Sequence, residues 1–152
     1  MRTIDKLGSP LARIGIAMVA TALFSTAAFA QVPRTPAPVN ASVYFIEPAD
    51  GEMITGPVRV IMGLRNMGVA PAGADLANTG HHHILVNVSE LPPMDAPLPA
   101  TDHFRHFGGG QTEATLELPA GTHTLQLLVG DHNHIPHEPP IISERITITV
   151  SP

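Results

Sequence analysis

The feature that most constrains the fold is the absence of a helical period after the first thirty residues. From residue 41 onward, short apolar or β-branched runs are separated by proline and glycine, of which the chain has 16 and 13. The runs are residues 42–46, 57–64, 82–88, 113–118, 122–130 and 141–150. Short strands at intervals of about 8–12 residues are typical of a β-sandwich of roughly 100 residues. We therefore predict an all-β, immunoglobulin-like β-sandwich.

The number of strands decides which loops lie together. Consecutive strands of such a sandwich reverse direction, so each loop belongs to one of its two ends. With six strands, residues 81–83 and the loop 131–137 would lie at opposite ends. A seventh, weak strand around residues 100–107 would match the immunoglobulin order and bring both to one end, together with His103 and His106. We favour about seven strands, an arrangement that leaves His123 alone at the far end.

The first thirty residues have the composition of a secretory signal peptide. Arg2, Lys6 and Arg13 form a positive region, residues 14–28 are apolar and small, and residues 28–30 read Ala-Phe-Ala. Signal peptidase accepts this small-x-small form. The apolar run is shorter than the about 20 residues of a membrane span. We expect cleavage after residue 30, a periplasmic or secreted product and no membrane insertion after cleavage, with an uncleaved anchor as the alternative.

The rest of the chain is long enough for one domain. Residues 31–40 contain three prolines and are expected to form an extended tether, followed by a single β-sandwich domain at residues 41–152. Without the leader, five of the eight basic and 12 of the 13 acidic residues remain, a formal net charge of −7. Such an acidic domain offers no basic surface for nucleic acid. The lack of any cysteine excludes disulfides, thiolate zinc sites and iron–sulfur clusters.

The distribution of histidine points to function. All nine histidines lie between residues 81 and 137, and residues 130–138 alone hold three imidazoles and two carboxylates. Imidazole is the commonest metal ligand in proteins, and borderline divalent metals also accept carboxylate oxygen. The candidate metal ligands are His81, His83, His103, His106, Asp131, His132, His134 and His137. Asp131 is expected either to bind the metal or to orient a ligand.

Strand alternation separates candidate ligands from core histidines. Side chains two residues apart in a strand point the same way, so His81 and His83 share one face. His82 takes the other face with Ile84 and is expected at the edge of the core. His123 lies on an apolar strand face and is expected to be a core histidine.

Imidazole and carboxylate ligands suit Zn(II), Cu(II), Ni(II) or Fe(II), of which we favour Cu(II) or Zn(II). No Gly-x-Ser-x-Gly or Ser-x-x-Lys motif occurs. We therefore predict a non-catalytic domain that stores, delivers or senses a transition metal. One alternative is an envelope module that binds a protein partner and whose histidines only stabilise loops. The other is a metal-dependent enzyme with an open coordination position.

Five segments resemble a bacterial family of exported domains, the domain of unknown function 4399. They are residues 67–73 (MGVAPAG), 78–83 (NTGHHH), 106–113 (HFGGGQTE), 119–125 (PAGTHTL) and 130–137 (GDHNHIPH). The resemblance covers about residues 42–150. It implies an envelope location and histidine segments that are typical of the group, and it implies no particular activity. The general shape is also similar to small periplasmic copper-binding sandwiches, an analogy at the level of the fold alone.

Overall fold

A computed structural model describes residues 33–152, so the predicted signal peptide at residues 1–30 lies outside the described residues. Within that range the chain forms nine strands and no helix. They are β1 (Ser42–Glu47), β2 (Met53–Thr55), β3 (Val58–Arg65), β4 (Gly68–Val69), β5 (Thr79–Val86), β6 (Phe104–His106), β7 (Glu113–Leu116), β8 (Gly121–Gly130) and β9 (Ile146–Ser151). Residues 33–152 thus contain no helix of the length and hydropathy that a membrane span requires.

The strands form two sheets. The first sheet has the order β1-β3-β7 and is antiparallel throughout. The second has the order β2-β9-β8-β5-β4, and β6 also pairs with β5. In this second sheet β2 runs parallel to β9 and β4 runs parallel to β5, whereas the other pairs are antiparallel. The predicted all-β sandwich is confirmed, with nine strands in place of about seven.

Alternating apolar side chains from both sheets form the main core. Successive side chains of a strand point to opposite faces, so a period of two places every second residue inside. The core includes Val58, Val60 and Met62 of β3, Leu125, Leu127 and Val129 of β8, and Ile146, Ile148 and Val150 of β9. Each fully buried aliphatic side chain contributes about 1.5–3 kcal/mol. This burial stabilises a chain that has no disulfide.

Two strands were not predicted. β2 and β4 have three and two residues, too few to show a periodic pattern, and each exists through its pairing with a longer strand. β6 confirms the weak strand that the sequence suggests around residues 100–107. It pairs with β5 and so extends the sheet next to residues 83–85.

The outer face of the second sheet carries a smaller apolar cluster. Leu85 and Leu128 project from β5 and β8, and Leu98 of the proline-rich segment 89–101 covers them. The backbone N–H of Leu98 donates a hydrogen bond to the carbonyl oxygen of His134, with an N–O distance of 2.9 Å. Segment 89–101 therefore connects this face to the histidine loop, residues 131–137.

Residues 33–40, the predicted tether, lie beside the return of the histidine loop. The Glu138 N–H donates to the Thr35 carbonyl at 2.9 Å, and the Ala37 N–H donates to the Glu138 carbonyl at 2.8 Å. These two bonds form an isolated parallel bridge between Pro36 and Glu138. The N-terminal segment is thus attached to the loop that follows β8.

Candidate metal centre

Four histidine side chains meet on the outer face of β5, and we refer to His81, His83, His106 and His134 as the histidine cluster. The ring centroid of His81 lies 4.8 Å from that of His83 and 5.0 Å from those of His106 and His134. The His106 centroid lies 5.1 Å from His83 and 4.8 Å from His134, and the widest separation, between His83 and His134, is 6.5 Å. The four rings therefore surround a common centre.

Strand pairing positions three of the four rings. His81 and His83 are two residues apart in β5, so both side chains leave the sheet on the face opposite the main core. In the pairing of β5 with β6, His83 lies directly opposite His106. Side chains at such cross-strand positions have Cβ atoms about 4.5–5.5 Å apart. On the other side of β5, His81 lies opposite Gly130, the last residue of β8.

A tight turn brings the fourth ring to the cluster. The His134 N–H donates to the Asp131 carbonyl at 2.9 Å, and the Asp131 N–H donates to the Ile135 carbonyl at 2.9 Å. His134 has a φ of 66°, in the left-handed region that few residues other than glycine adopt. A conformation of this kind persists where surrounding contacts determine it. The loop thus turns back so that His134 reaches the strand histidines.

Two glycines leave the space that the rings occupy. A Cβ atom at Gly108 would lie 2.3 Å from Cε1 of His106. A Cβ atom at Gly130 would lie 2.9 Å from Cε1 of His83 and 3.4 Å from Cα of His134. Both distances to the rings are shorter than real Cβ contacts, so any side chain at these positions would displace a member of the cluster.

His81 and His83 are buried without hydrogen-bond partners. Each is 0% exposed, and within the described part of the chain neither ring nitrogen of either residue has a partner. A buried polar group without a partner costs about 1–3 kcal/mol. His134 is half-buried and His106 is exposed, so the cluster is accessible to solvent from one side.

The cluster favours neutral imidazoles. Burial, and then the charges of neighbouring imidazoles, lower the pKa of His81 to about 4 and that of His83 to about 3. Desolvation, and then the neighbouring His134, also lower the pKa of His106. A metal ion coordinates the neutral form of imidazole. Two buried ligands are therefore held in the coordinating form at neutral pH.

The arrangement can hold a metal ion. One ligand nitrogen from each of His81, His83 and His106 lies within 4.8 Å of the others. A tetrahedral ion with bonds of about 2.0–2.1 Å places its ligand nitrogens roughly 3.4 Å apart. The nitrogens of a pair must therefore approach each other by at most about 1.4 Å when an ion binds. His134 lies outside this group of three, and its ring offers a fourth imidazole on the loop side of the cluster.

Two other predicted ligands lie at the surface outside the cluster. Nδ1 of His103 lies 2.9 Å from the carbonyl oxygen of Val86, to which it donates. His103 is three residues from His106, and side chains three apart in extended backbone point to opposite faces. Nδ1 of His132 lies 3.6 Å from the carboxylate of Asp75. Both imidazoles therefore point to partners of their own.

His137, the third predicted ligand outside the cluster, is buried at a different place. It is 0% exposed, and its Cε1 atom lies 3.1 Å from the position that a Cβ of Gly80 would occupy. It makes no ring contact with the histidine cluster, and the backbone of Val129 and of Thr79 lies near its ring, although no nitrogen meets hydrogen-bond geometry among residues 33–152. Burial lowers its pKa, which keeps the imidazole neutral.

Asp131 binds the backbone of the histidine loop. Its Oδ1 atom accepts hydrogen bonds from the N–H groups of Asn133 at 2.9 Å and Ile135 at 3.0 Å. Its Oδ2 atom accepts a hydrogen bond from the Thr35 hydroxyl at 2.6 Å. Burial alone would raise the pKa of Asp131, but the hydrogen bonds from Thr35 and the two amides lower it below its usual value. The carboxylate thus orients the residues on both sides of His134.

The remaining two histidines have the structural positions that strand alternation predicts. His82 is 0% exposed, and its Nδ1 atom lies 3.2 Å from the carbonyl oxygen of Gln111. His123 donates through Nε2 to the Pro119 carbonyl at 2.8 Å and accepts at Nδ1 from the Asn87 amide at 3.0 Å. Both nitrogens of His123 are therefore satisfied, in contrast to the buried pair of the cluster.

Comparison with solved structures yields a weak similarity. The X-ray structure of the endo-β-1,4-mannanase from Thermotoga petrophila is similar with a TM-score of 0.41 and 20% identity, over 74% of this chain and 20% of that chain. The protein thus spans about one fifth of the mannanase, and a similarity of this strength supports no conclusion about fold or function. No curated protein matches the chain.

Comparison with protein families identifies the family of this chain. A family described as a domain of unknown function (DUF4399) matches residues 60–151. The matched range covers more than half of the chain and contains the whole histidine cluster. The chain belongs to the DUF4399 family, as its sequence segments predict.

Proposed function

We propose that this protein is an exported, non-catalytic domain that binds a divalent transition-metal ion through the histidine cluster, for storage, delivery or sensing. His81, His83 and His106 supply three imidazoles, and His134 supplies a fourth. The observation that carries the proposal is the fully buried pair His81 and His83, whose ring nitrogens lack hydrogen-bond partners within residues 33–152. Buried polar groups in native proteins nearly always have a partner. A single metal ion would serve as the partner of both imidazoles.

The chemistry of the ligands favours Cu(II) or Zn(II). Both ions accept imidazole nitrogen, and the chain contains no cysteine that could form a thiolate site. Imidazole binds a metal in its uncharged form, so these ligands leave the charge of the ion uncompensated at the centre. The net charge of −7 on residues 31–152 provides a field that attracts cations to the domain. A periplasmic or secreted location follows from the signal-peptide pattern of residues 1–30.

A metal-free structural module that binds a protein partner in the envelope is the second candidate function. It is favoured by His82, His103 and His123, each of which contacts a backbone carbonyl within its own chain. In such a module the histidines hold loops together. This role leaves unexplained why the buried imidazoles of His81 and His83, which lack partners within residues 33–152, both lie about 5 Å from the ring of His106.

Elemental analysis and calorimetry of the untagged protein test the proposal. We expect the purified protein to bind one equivalent of Zn(II) or Cu(II) more tightly than about 10 μM, which corresponds to about −7 kcal/mol. His106→Ala should weaken binding by more than about tenfold. His103→Ala and His132→Ala are matched controls, because they remove imidazoles outside the cluster, and both should bind like wild type. Weaker wild-type binding, or an equal loss in the controls, would contradict the proposal.

Gly108→Ala should weaken metal binding and leave the fold intact. The new Cβ would lie 2.3 Å from Cε1 and 2.6 Å from Nε2 of His106, so the ring must leave the position that it occupies in the cluster. Because the atoms that move belong to an exposed side chain, the free energy of unfolding should change by less than about 1 kcal/mol. The dissociation constant, measured by calorimetry, should rise about tenfold.

Gly109→Ala is the matched control for this substitution. The atoms nearest to its Cβ would belong to the flexible side chain of Gln111, the closest of them at 3.1 Å. Urea unfolding of both variants separates a change in stability from a change in affinity. Equal dissociation constants for Gly108→Ala and Gly109→Ala would show that His106 is not a ligand.

A further inference from the structure

The segment 34–38 is hydrogen-bonded to the residues that follow the histidine loop. Thr35 and Ala37 form backbone hydrogen bonds with Glu138, at N–O distances of 2.9 and 2.8 Å. More than ninety residues of sequence separate the two partners. The contact is therefore tertiary, and it joins the beginning of the described chain to the candidate metal centre.

The side chain of Arg34 reinforces this contact. Its Nε donates to the carbonyl oxygen of Pro136 at 3.0 Å, and its Nη2 donates to the carbonyl oxygen of His137. Its Nη1 forms an ion pair with the carboxylate of Glu138. One guanidinium thus binds three consecutive residues at the end of the loop.

Thr35 connects the segment to the loop interior. Its hydroxyl donates to Oδ2 of Asp131 at 2.6 Å, while Oδ1 of the same carboxylate accepts the N–H groups of Asn133 and Ile135. These two residues flank His134. A single buried carboxylate, 1% exposed, thus links the N-terminal segment to both neighbours of the fourth imidazole.

We propose that residues 34–38 act as a strap that fixes the histidine loop in its metal-binding conformation, with Thr35 and Asp131 as positioning residues for His134. This inference rests on the proposed function. His134 is the one member of the cluster that no strand holds, so the direction of its ring depends on the loop. The three strand histidines are positioned without the strap. Attachment of the strap therefore raises the metal affinity by positioning His134, and detachment of the strap lowers that affinity.

A double-mutant cycle with Zn(II) on the full chain tests the strap. Thr35→Val removes the hydroxyl at nearly constant volume and should weaken zinc binding about tenfold, as loss of an outer-shell partner typically does. In the His134→Ala background the same substitution should cause no further loss, because the ligand that Thr35 positions is gone. Thr35→Ser keeps the hydroxyl and should retain the wild-type affinity.

Thr55→Val is the matched control. Thr55 lies in β2 at an edge of the second sheet, and its hydroxyl contacts that of Ser151 at 2.9 Å. This variant should bind zinc like wild type. Should Thr35→Val fail to fold, Arg34→Gln, which removes the ion pair with Glu138, should show the same dependence on His134.

The outcomes separate the two proposals. An unchanged affinity in Thr35→Val, or an equal loss with and without His134, would overturn the strap while leaving metal binding in place. If the wild-type protein binds no zinc or copper, the proposed function fails, and the strap fails with it as a device for positioning a ligand.

Discussion

Replacing His83 with leucine is expected to abolish metal binding and, at the same time, to raise the free energy of unfolding of the metal-free protein. His83 is 0% exposed, and its ring nitrogens have no hydrogen-bond partner in the described part of the chain. Leucine removes these unpaired groups and adds apolar contact near Leu85 and Leu128, which form a buried cluster on the same sheet. The expected gain is about 1–3 kcal/mol.

The matched control is His123→Leu. His123 is also buried, at 6% exposed, but hydrogen bonds to Asn87 and Pro119 satisfy both of its nitrogens. Leucine at this position leaves two partners unpaired, so the free energy of unfolding should fall by about 1–3 kcal/mol. Urea unfolding in the presence of a chelator measures both variants. If both lose stability alike, His83 is an ordinary core residue and the metal centre loses its main support.

Opposite changes in stability and binding would identify His83 as a residue kept for function. Natural sequences depart from the rules of stable packing at functional sites and compensate elsewhere. Here the compensation is the continuous apolar core between the sheets, which contains fourteen buried residues. That core makes it possible for the outer face of β5 to carry two imidazoles without partners.

Much of the fold follows from the sequence because a strand has a side-chain period of two. β8 shows this most clearly, since His123, Leu125, Leu127 and Val129 alternate with residues of the other face and are all buried. The same alternation predicts that His81 and His83 share a face. β2 and β4 are too short to carry such a pattern and depend on pairing with distant segments.

The composition of the cluster follows only in part from the sequence. The structure brings together four of the eight predicted ligands. That His106 and not His103 joins them depends on the register of β6 against β5, which is set by tertiary pairing. Of the three histidines in the loop, His134 is the one that joins the cluster. Its position depends on the turn that the Asp131 carboxylate stabilises. Local sequence shows neither contact.

The supporting residues of the site carry no sequence signal of their own. Thr35 lies in a proline-rich segment, and its bond to Asp131 spans 96 residues. Gly108 and Gly130 resemble ordinary turn and strand-end glycines until the ring positions are known. Residues of this kind become visible only when the three-dimensional packing around the cluster is described.

Acidification is expected to destabilise the metal-free protein steeply between pH 6.5 and about pH 4. Burial, and then neighbouring imidazoles, lower the pKa of His81 to about 4 and of His83 to about 3, from an ordinary value of 6.5. Above pH 6.5 both groups are neutral in the folded and unfolded states, so they do not change the free energy of unfolding with pH. Below pH 6.5 the unfolded chain takes up protons that the folded protein does not, so the free energy of unfolding falls with pH. The loss is complete once the pH lies below both folded values.

His81 and His83 each lower the free energy of unfolding by up to about 1.4 kcal/mol for every pH unit below 6.5. Together they would remove several kcal/mol by pH 4.5, a large share of the 5–15 kcal/mol typical of a domain. His82, His106 and His137 shift in the same direction and can only steepen the slope. Asp131, whose pKa is lowered below 3.8, contributes stability that is lost only at still lower pH. The range from pH 6.5 to 4.5 therefore reports on the histidines.

Urea unfolding at pH 7.5, 6.5, 5.5 and 4.5 with chelator measures this slope. His83→Leu should reduce it by about 1.4 kcal/mol per pH unit, because one of the titrating groups is removed. Added Zn(II) should delay the loss, since the ion binds neutral imidazoles in the folded protein and raises its stability by mass action. A free energy of unfolding that stays constant down to pH 4.5 would mean that the cluster imidazoles are solvated. They would then have no need of an ion as partner, and the proposed metal centre would lose its main support.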